Sequence, residues 1–341
     1  MSVPVIIRGA GAVSSAGWSG DALARAVAAG TPLPAEDMVR DDAGMRVVSH
    51  VRRVPASAPA GPKSARLRRA SSISKYAAAA AAEALGPERI ARVADGSLRV
   101  GVVCTLMNGC VNYTNRFFGE VLADPSVASP ILFPETVFNA PSSHLSATFG
   151  STAPNDTLIG DGAEYITGLE VAAEWIVRGE VDGCLVIGCE EADWLCSEAA
   201  AFYSKKYVTS EGAGALYLEG GGEGVALLQI PDPVPLAAGM PRSNAMTKLR
   251  ESLEIPSSGR GMLVDGRTGI ACYDRAEEAA WRDWAGARCS PREILGEGMG
   301  ASAAWQAVFA WHAVCGGMAD YAIISAIGGS KEAAGAVIGR I

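Results

Sequence analysis

The segment Gly183-Cys-Leu-Val-Ile-Gly188 carries no polar side chain, so as a strand it has no face to offer water. Such a strand belongs inside a sheet that is covered on both sides. A helix-like stretch over residues 163–178 precedes it, followed by a tight turn at Gly179. The same order returns near the end of the chain. A helix-like stretch over residues 302–315 leads through Gly317-Met-Ala-Asp320 into Tyr321-Ala-Ile-Ile-Ser-Ala326. Two copies of one helix–turn–buried-strand unit are what a duplicated five-layered α/β/α/β/α fold, with two pseudo-duplicated halves, would produce. The run Pro231-Asp-Pro-Val-Pro235 stops a sheet and reads as the connector, dividing the chain into residues 1–230 and 231–341.

Strand-like and helix-like segments alternate elsewhere too. Strands are expected over residues 3–7, 99–104, 157–159, 213–218, 225–230 and 333–338. Helices are expected over 20–29, 71–85, 244–253 and 274–284. The segment Glu219-Gly-Gly-Gly-Glu-Gly224 reads as a hairpin turn between the strands at 213–218 and 225–230.

Composition excludes several classes. With 49% hydrophobic and 19% charged residues in 341, the chain has ample core material. A net charge of −8 opposes nucleic-acid binding, which needs a positive field. No run of about 18 apolar residues marks a membrane span, and the opening residues lack a basic segment followed by an apolar signal core. The eight cysteines form no CxxC pair, and the three histidines, His50, His144 and His312, are far apart. Buried free thiols in a reducing cytoplasm, with no metal and no cofactor, are the expectation. Gly9-Ala-Gly11 after a strand raises a dinucleotide-binding oxidoreductase as one reading, but no second strand ending in an acidic residue follows at the required distance.

Several ordered motifs point elsewhere. The chain opens with Val5-Ile-Ile-Arg-Gly-Ala-Gly-Ala-Val-Ser-Ser-Ala-Gly17. Phe133-Pro-Glu-Thr-Val-Phe-Asn139 and His144-Leu-Ser-Ala-Thr-Phe-Gly150 lie upstream of Leu158-Ile-Gly-Asp-Gly-Ala-Glu164. Later come Asp265-Gly-Arg-Thr-Gly-Ile-Ala-Cys-Tyr-Asp-Arg-Ala-Glu277, Arg292-Glu-Ile-Leu-Gly-Glu-Gly-Met-Gly-Ala301 and Ser325-Ala-Ile-Gly-Gly-Ser-Lys331. In order and spacing these resemble the β-ketoacyl synthases of the thiolase-like superfamily, whose late motifs read HGTxTxxGDxxE, KxxxGHxxGA and GFGGTN. The resemblance spans nearly the whole chain and implies the thiolase-like five-layered fold.

It also implies a degenerate site. In an active synthase a cysteine at a helix head accepts the acyl group, and two histidines assist decarboxylation of the malonyl donor. The position of the nucleophile is Gly162 here, and those of the two histidines are Gly266 and Glu297. The supporting lysine becomes Arg292, and the phenylalanine that gates acyl access becomes Ile327. Of two threonines that hold the pantetheine arm, one remains as Thr268 and the other is Ile270. A glycine cannot be acylated, and a carboxylate does not replace a neutral imidazole. The resemblance therefore implies a non-condensing subunit, similar to the chain-length factors of type II polyketide systems, paired in a heterodimer with an active synthase in polyketide or polyene/fatty-acid biosynthesis. Dimer contacts are expected from Phe117, Phe118, Phe133, Phe138, Thr157, Leu158 and Ile159. An acidic acyl carrier protein is expected to dock on Lys63, Arg66, Arg68 and Arg69. Arg292 and Glu297 are expected to form an ion pair filling the space left by the histidines. His144, Asp274 and Glu277 are expected to be structural. The competing reading is a repurposed enzyme acting on an acyl thioester through Asp161, Glu297 or a cysteine such as Cys189 or Cys196.

Overall fold

The structure, a computed structural model, describes residues 3–42, 44–58, 62 and 64–341. The first part of the chain forms β1 (Val5–Val13), α1 (Gly20–Ala29), β2 (Glu36–Asp42), β3 (Met45–Arg52), α2 (Ser72–Ala94), β4 (Val100–Leu106), α3 (Val111–Ala123) and α4 (Ala140–Phe149). It continues with β5 (Asn155–Ile159), α5 (Glu164–Val177), β6 (Gly183–Glu190), α6 (Trp194–Tyr203), β7 (Val208–Ser210) and β8 (Gly212–Gly220). Then follow β9 (Val225–Gln229), β10 (Val234–Pro235), α7 (Arg242–Ser252), β11 (Gly261–Val264) and α8 (Ala271–Ala280). The chain finishes with β12 (Ala287–Cys289), α9 (Pro291–Leu295), α10 (Ser302–Cys315), β13 (Tyr321–Ile327) and β14 (Glu332–Arg340).

The main sheet consists of two five-strand sets with one topology. The first runs β1-β8-β6-β4-β5 and the second β9-β14-β13-β11-β12. In each, the first strand and its neighbour are antiparallel, the next pair is antiparallel, and the last two pairs are parallel. This is the duplication expected from the repeated unit. β10 adds to the second set by pairing β14.

Between the sets lie α5 and α10. Eleven of the fourteen residues of α10 are buried, which a surface helix with a single apolar stripe does not achieve. Trp305 donates its indole N–H to the carbonyls of Val13 and Ala213 in the first set, at 3.1 and 3.2 Å. Its neighbour Gln306 donates to Val264 and Ser325 of the second, at 3.1 and 2.8 Å. One turn of helix thus ties both sets together, and truncating the fully buried Trp305 to alanine should cost about 3–5 kcal/mol. The central cluster of α5 and α10 residues is flanked by two others. One lies under α2, the other under α7 and α8. Helix, sheet, helices, sheet, helix is the five-layered arrangement.

Several elements depart from expectation. The strands at 213–218 and 225–230 do not form a hairpin: β8 and β9 both pair antiparallel with β1, which lies between them. The glycine turn therefore crosses the end of β1, and among the described residues the two sets are joined in the sheet by the pairs Ile6–Ala226 and Ile7–Val225. On this topology we propose that the halves meet at residues 221–224, ahead of the proline connector. The helix expected to end at residue 85 bends there, at Gly86 (φ 73°) and Pro87, and runs on to Ala94. A three-stranded sheet, β2-β3-β7, was not foreseen. Its β2, Glu-Asp-Met-Val-Arg-Asp-Asp, is largely exposed and lacks the apolar alternation that marks a half-buried strand. Gly9 and Gly11 lie within β1, where a Cβ would overlap the carbonyl oxygens of Ala84 and Ala80. They let α2 approach the sheet backbone, and the dinucleotide-binding reading falls with that finding.

Candidate functional site

Strand β5 ends at Ile159, and three residues later Gly162 stands half-buried before the first turn of α5. A Cβ built on Gly162 would have one neighbour within 4 Å, the carbonyl oxygen of Met299 at 3.5 Å. Met299 precedes α10 and is the one non-glycine with positive φ among the described residues, at 47°. Such a conformation costs on the order of 1–3 kcal/mol and persists only where surroundings enforce it. Here the Met299 N–H donates to Glu297 Oε1 at 2.8 Å, and the Gly300 N–H to Glu190 Oε2 at 3.2 Å. Glu190 is buried and also accepts from the Met107 and Asn108 amides at 2.9 and 3.1 Å. Burial outweighs those three donors and pushes its carboxyl up to about 8.

Asp161 is committed to the fold. Its carboxylate accepts the backbone N–H groups of Ser330 and Lys331 at 3.0 and 2.9 Å. It lies so close to Gly328 that any Cβ there would overlap it. Glu164, at the start of α5, pairs with Lys331 Nζ. Together these contacts hold the glycine-rich turn after β13 against the head of α5.

The second corner is crowded. Arg292 and Glu297 form an ion pair, with side chains 10% and 9% exposed. Arg292 Nη1 also donates to the Gly266 carbonyl at 3.0 Å, and Ser302 Oγ donates to Glu297 Oε1 at 2.9 Å. A Cβ on Gly266 would press on Arg292 Nη1 and Glu277 Oε2, each at 3.2 Å. Burial works to raise the Glu297 carboxyl, but the charge and hydrogen bond of Arg292 hold it below its ordinary value. Glu277 goes the other way: burial, then the charge of Asp265, push it up to about 8. Thr268 is turned inward, donating both its N–H and its hydroxyl to Asp274 Oδ1, at 2.8 and 3.0 Å. Ile327 packs into the outer apolar cluster beneath α7 and α8.

No imidazole serves these corners. His50, His144 and His312 face Asp37, Glu135 and Asp21 respectively. Cys189 is fully buried, with its sulfur 3.6 Å from that of Cys104, and that contact together with burial holds its thiol well above the ordinary value. Burial likewise pushes the Cys196 thiol up, to about 12. A thiolate at either position is disfavoured. Among the described residues, no group of three or more His, Cys, Asp or Glu side chains is arranged to hold a metal ion. No helix among them is long and apolar enough to cross a membrane.

The other expected sites are surface features. Arg66, Arg68 and Arg69 are exposed in the turn before α2, and Lys63 lies outside the described residues. β5 is the edge of the first set, paired only with β4 among the described residues. Ile159 is exposed on it, while Thr157 and Leu158 are half-buried. Phe118, Phe133 and Phe138 are exposed, Phe117 packs at a tilt against Phe133 with centroids 5.7 Å apart, and Leu122, Val127 and Ile131 add further exposed apolar surface. α4 joins this apolar shoulder to β5 through Ser142 Oγ and Thr157 Oγ1, 2.8 Å apart. Sequence reasoning missed the strained Met299, the Lys331–Glu164 pair and the role of Glu190. Only Glu190 left a signal, a carboxylate closing an otherwise apolar strand.

No protein-family model matches the chain, and no curated protein does. Solved structures do. The ishigamide ketosynthase/chain length factor superposes with a TM-score of 0.85 at 18% identity, covering 100% of both chains. A ketosynthase in complex with its chain length factor, from Xenorhabdus doucetiae, gives 0.81 at 15% identity, over 99% of this chain and 98% of that one. A type II acyl-carrier protein in complex with its ketosynthase bound to the hexaketide gives 0.79 at 16% identity, over 100% of both chains. The chain shares the thiolase-like fold of these structures.

Proposed function

We propose that this chain is a non-condensing, chain-length-factor-like subunit that pairs with an active β-ketoacyl synthase in type II polyketide or polyene/fatty-acid biosynthesis, in the cytoplasm. The observation that carries this reading is the pair of corners. At Gly162 there is no side chain to acylate, and at Gly266 a buried Arg292–Glu297 pair occupies the space an imidazole would need. A ketosynthase fold without a thiolate, an imidazole or a free carboxylate at these positions keeps its value as a partner.

The surface supports pairing. An edge strand offers unpaired N–H and C=O groups to another chain, and natural proteins protect such edges with charge or cover. β5 carries one charge, the exposed Asp156, and ends on exposed Ile159 beside the apolar shoulder of α3 and Phe133. An obligate interface of this type buries roughly 2,000 Å² or more and is apolar. The descriptions of two similar structures as ketosynthase with chain length factor, and of a third as carrier protein with ketosynthase, fit a synthase partner and an acyl carrier protein. The exposed Arg66, Arg68 and Arg69 offer positive charge to an acidic carrier.

Co-expression with the active β-ketoacyl synthases of the same genome, followed by purification on a tag carried by this chain alone, tests the proposal. One copy of each chain should elute together, and Ile159→Asp should separate them. A monomer at micromolar concentration that captures no synthase sinks it.

A further inference from the structure

The outer surface of the second half carries a concentration of positive charge. A concavity of about 710 Å³ opens between α7 and α8. Three arginines line it: Arg242 at the start of α7, Arg275 on α8, and Arg282 just beyond α8. Glu278 is the one carboxylate in the lining. In a chain of net charge −8, three cations to one anion is a local inversion. None of the three arginines forms an ion pair among the described residues; Arg242 is half-buried, and Arg275 and Arg282 are exposed. Arg242 gives one N–H to the Gly329 carbonyl at 2.8 Å, and its buried Nε finds no acceptor. Burial depresses its pKa, against the opposing charges of Tyr207, Asp161 and Glu277. The concavity also includes the leading end of α7, where Pro241 supplies no side-chain cap to the first N–H groups.

Guanidinium groups present planar forks of N–H donors that match the oxygens of a phosphate. An uncapped helix start adds partial positive charge from the same side. We propose that this concavity binds a small, soluble phosphate or pyrophosphate ester through Arg242, Arg275 and Arg282. The site lies on the outer helices, so the proposal stands whether or not the chain pairs with a synthase.

Cys272 lines the same concavity and is exposed, while Cys315, also exposed, closes α10 and lines no part of it. The two thiols make an internal comparison. Alkylation of each by iodoacetamide is followed by peptide mass spectrometry at constant ionic strength, with and without inorganic pyrophosphate. Pyrophosphate should slow the reaction of Cys272 several-fold with half-effect at about 1 mM or below, and leave Cys315 unchanged. The Arg275→Ala/Arg282→Ala double variant, altered only at exposed positions, should weaken that protection about tenfold or more. Glu278→Gln, which removes the opposing charge, should strengthen it. If pyrophosphate at about 10 mM leaves the Cys272 rate unchanged, or if the double variant is protected as well as the wild type, the proposal is wrong.

Discussion

A side chain added at Gly162 would meet one atom, the Met299 carbonyl oxygen at 3.5 Å, whereas one added at Gly266 would press on Arg292 Nη1 and Glu277 Oε2 at 3.2 Å. On the proposed reading the first corner has lost its chemistry by deletion, and it still has room. The second has been refilled with charged groups that hold one another in place. Loss by deletion is reversible in a single step, at least sterically. Loss by refilling is not, because the replacements have become part of the core. The two corners should therefore respond differently to substitution.

The largest response should come from Arg292→Ala. It would leave Glu297 buried without its cation, and breaking a buried pair from one side costs about 3–5 kcal/mol. Urea unfolding would read that loss, and a change below about 1 kcal/mol would mean the pair does not hold the corner. Next comes Gly266→His, which forces a ring into space held by Arg292 and Glu277. Overpacking of this kind costs about 1–3 kcal/mol, so the thermal midpoint should fall.

A smaller effect, confined to a pH window, belongs to Glu277. Its native carboxyl is pushed up to about 8, far above the value of an exposed glutamate, so the folded state holds a proton that the unfolded state has released. That contribution is complete below about pH 4.5 and declines as pH rises toward 8. Glu277→Gln should flatten the fall in stability across this window, and an unchanged pH profile would count against a protonated Glu277. The smallest effect should be that of Gly162→Cys. With ordinary contact distances around the new Cβ, stability should change by no more than about 0.5 kcal/mol. The N-terminus of α5 favours a thiolate there, so slow acylation is the most the variant should achieve. Condensation should remain absent, since Gly266 and Glu297 supply no imidazole. A marked loss of stability, or efficient condensation, would erase the distinction between the corners.

The sequence announced the repeated units because a strand buried on both faces cannot disguise itself: β6 and β13, with α5 and α10 before them, lie where the apolar runs place them. The motifs likewise single out Gly162, Gly266 and Glu297, the positions that the proposed function treats as degenerate. What fills the second corner is only partly a matter of local pattern. Arg292 and Glu297 are five residues apart and their pairing was foreseeable, but Arg292 reaches a backbone carbonyl 26 residues away. The Lys331–Glu164 pair joins residues 167 apart. The separation of β8 from β9 by β1 is equally non-local, and a glycine-rich link between two strands reads as a hairpin until a third strand claims the space. Met299 has no signature at all, because its left-handed backbone is imposed by Glu297 and by the neighbouring Gly300 contact.

The central claim, a ketosynthase fold that takes part without accepting an acyl group, is tested most directly by intact-mass spectrometry of the co-purified complex after incubation with acylated carrier protein. The account predicts an acyl mass shift on the synthase partner alone and an unchanged mass for this chain. A stable acyl adduct on this chain, at Cys189, Cys196 or any other residue, would contradict it.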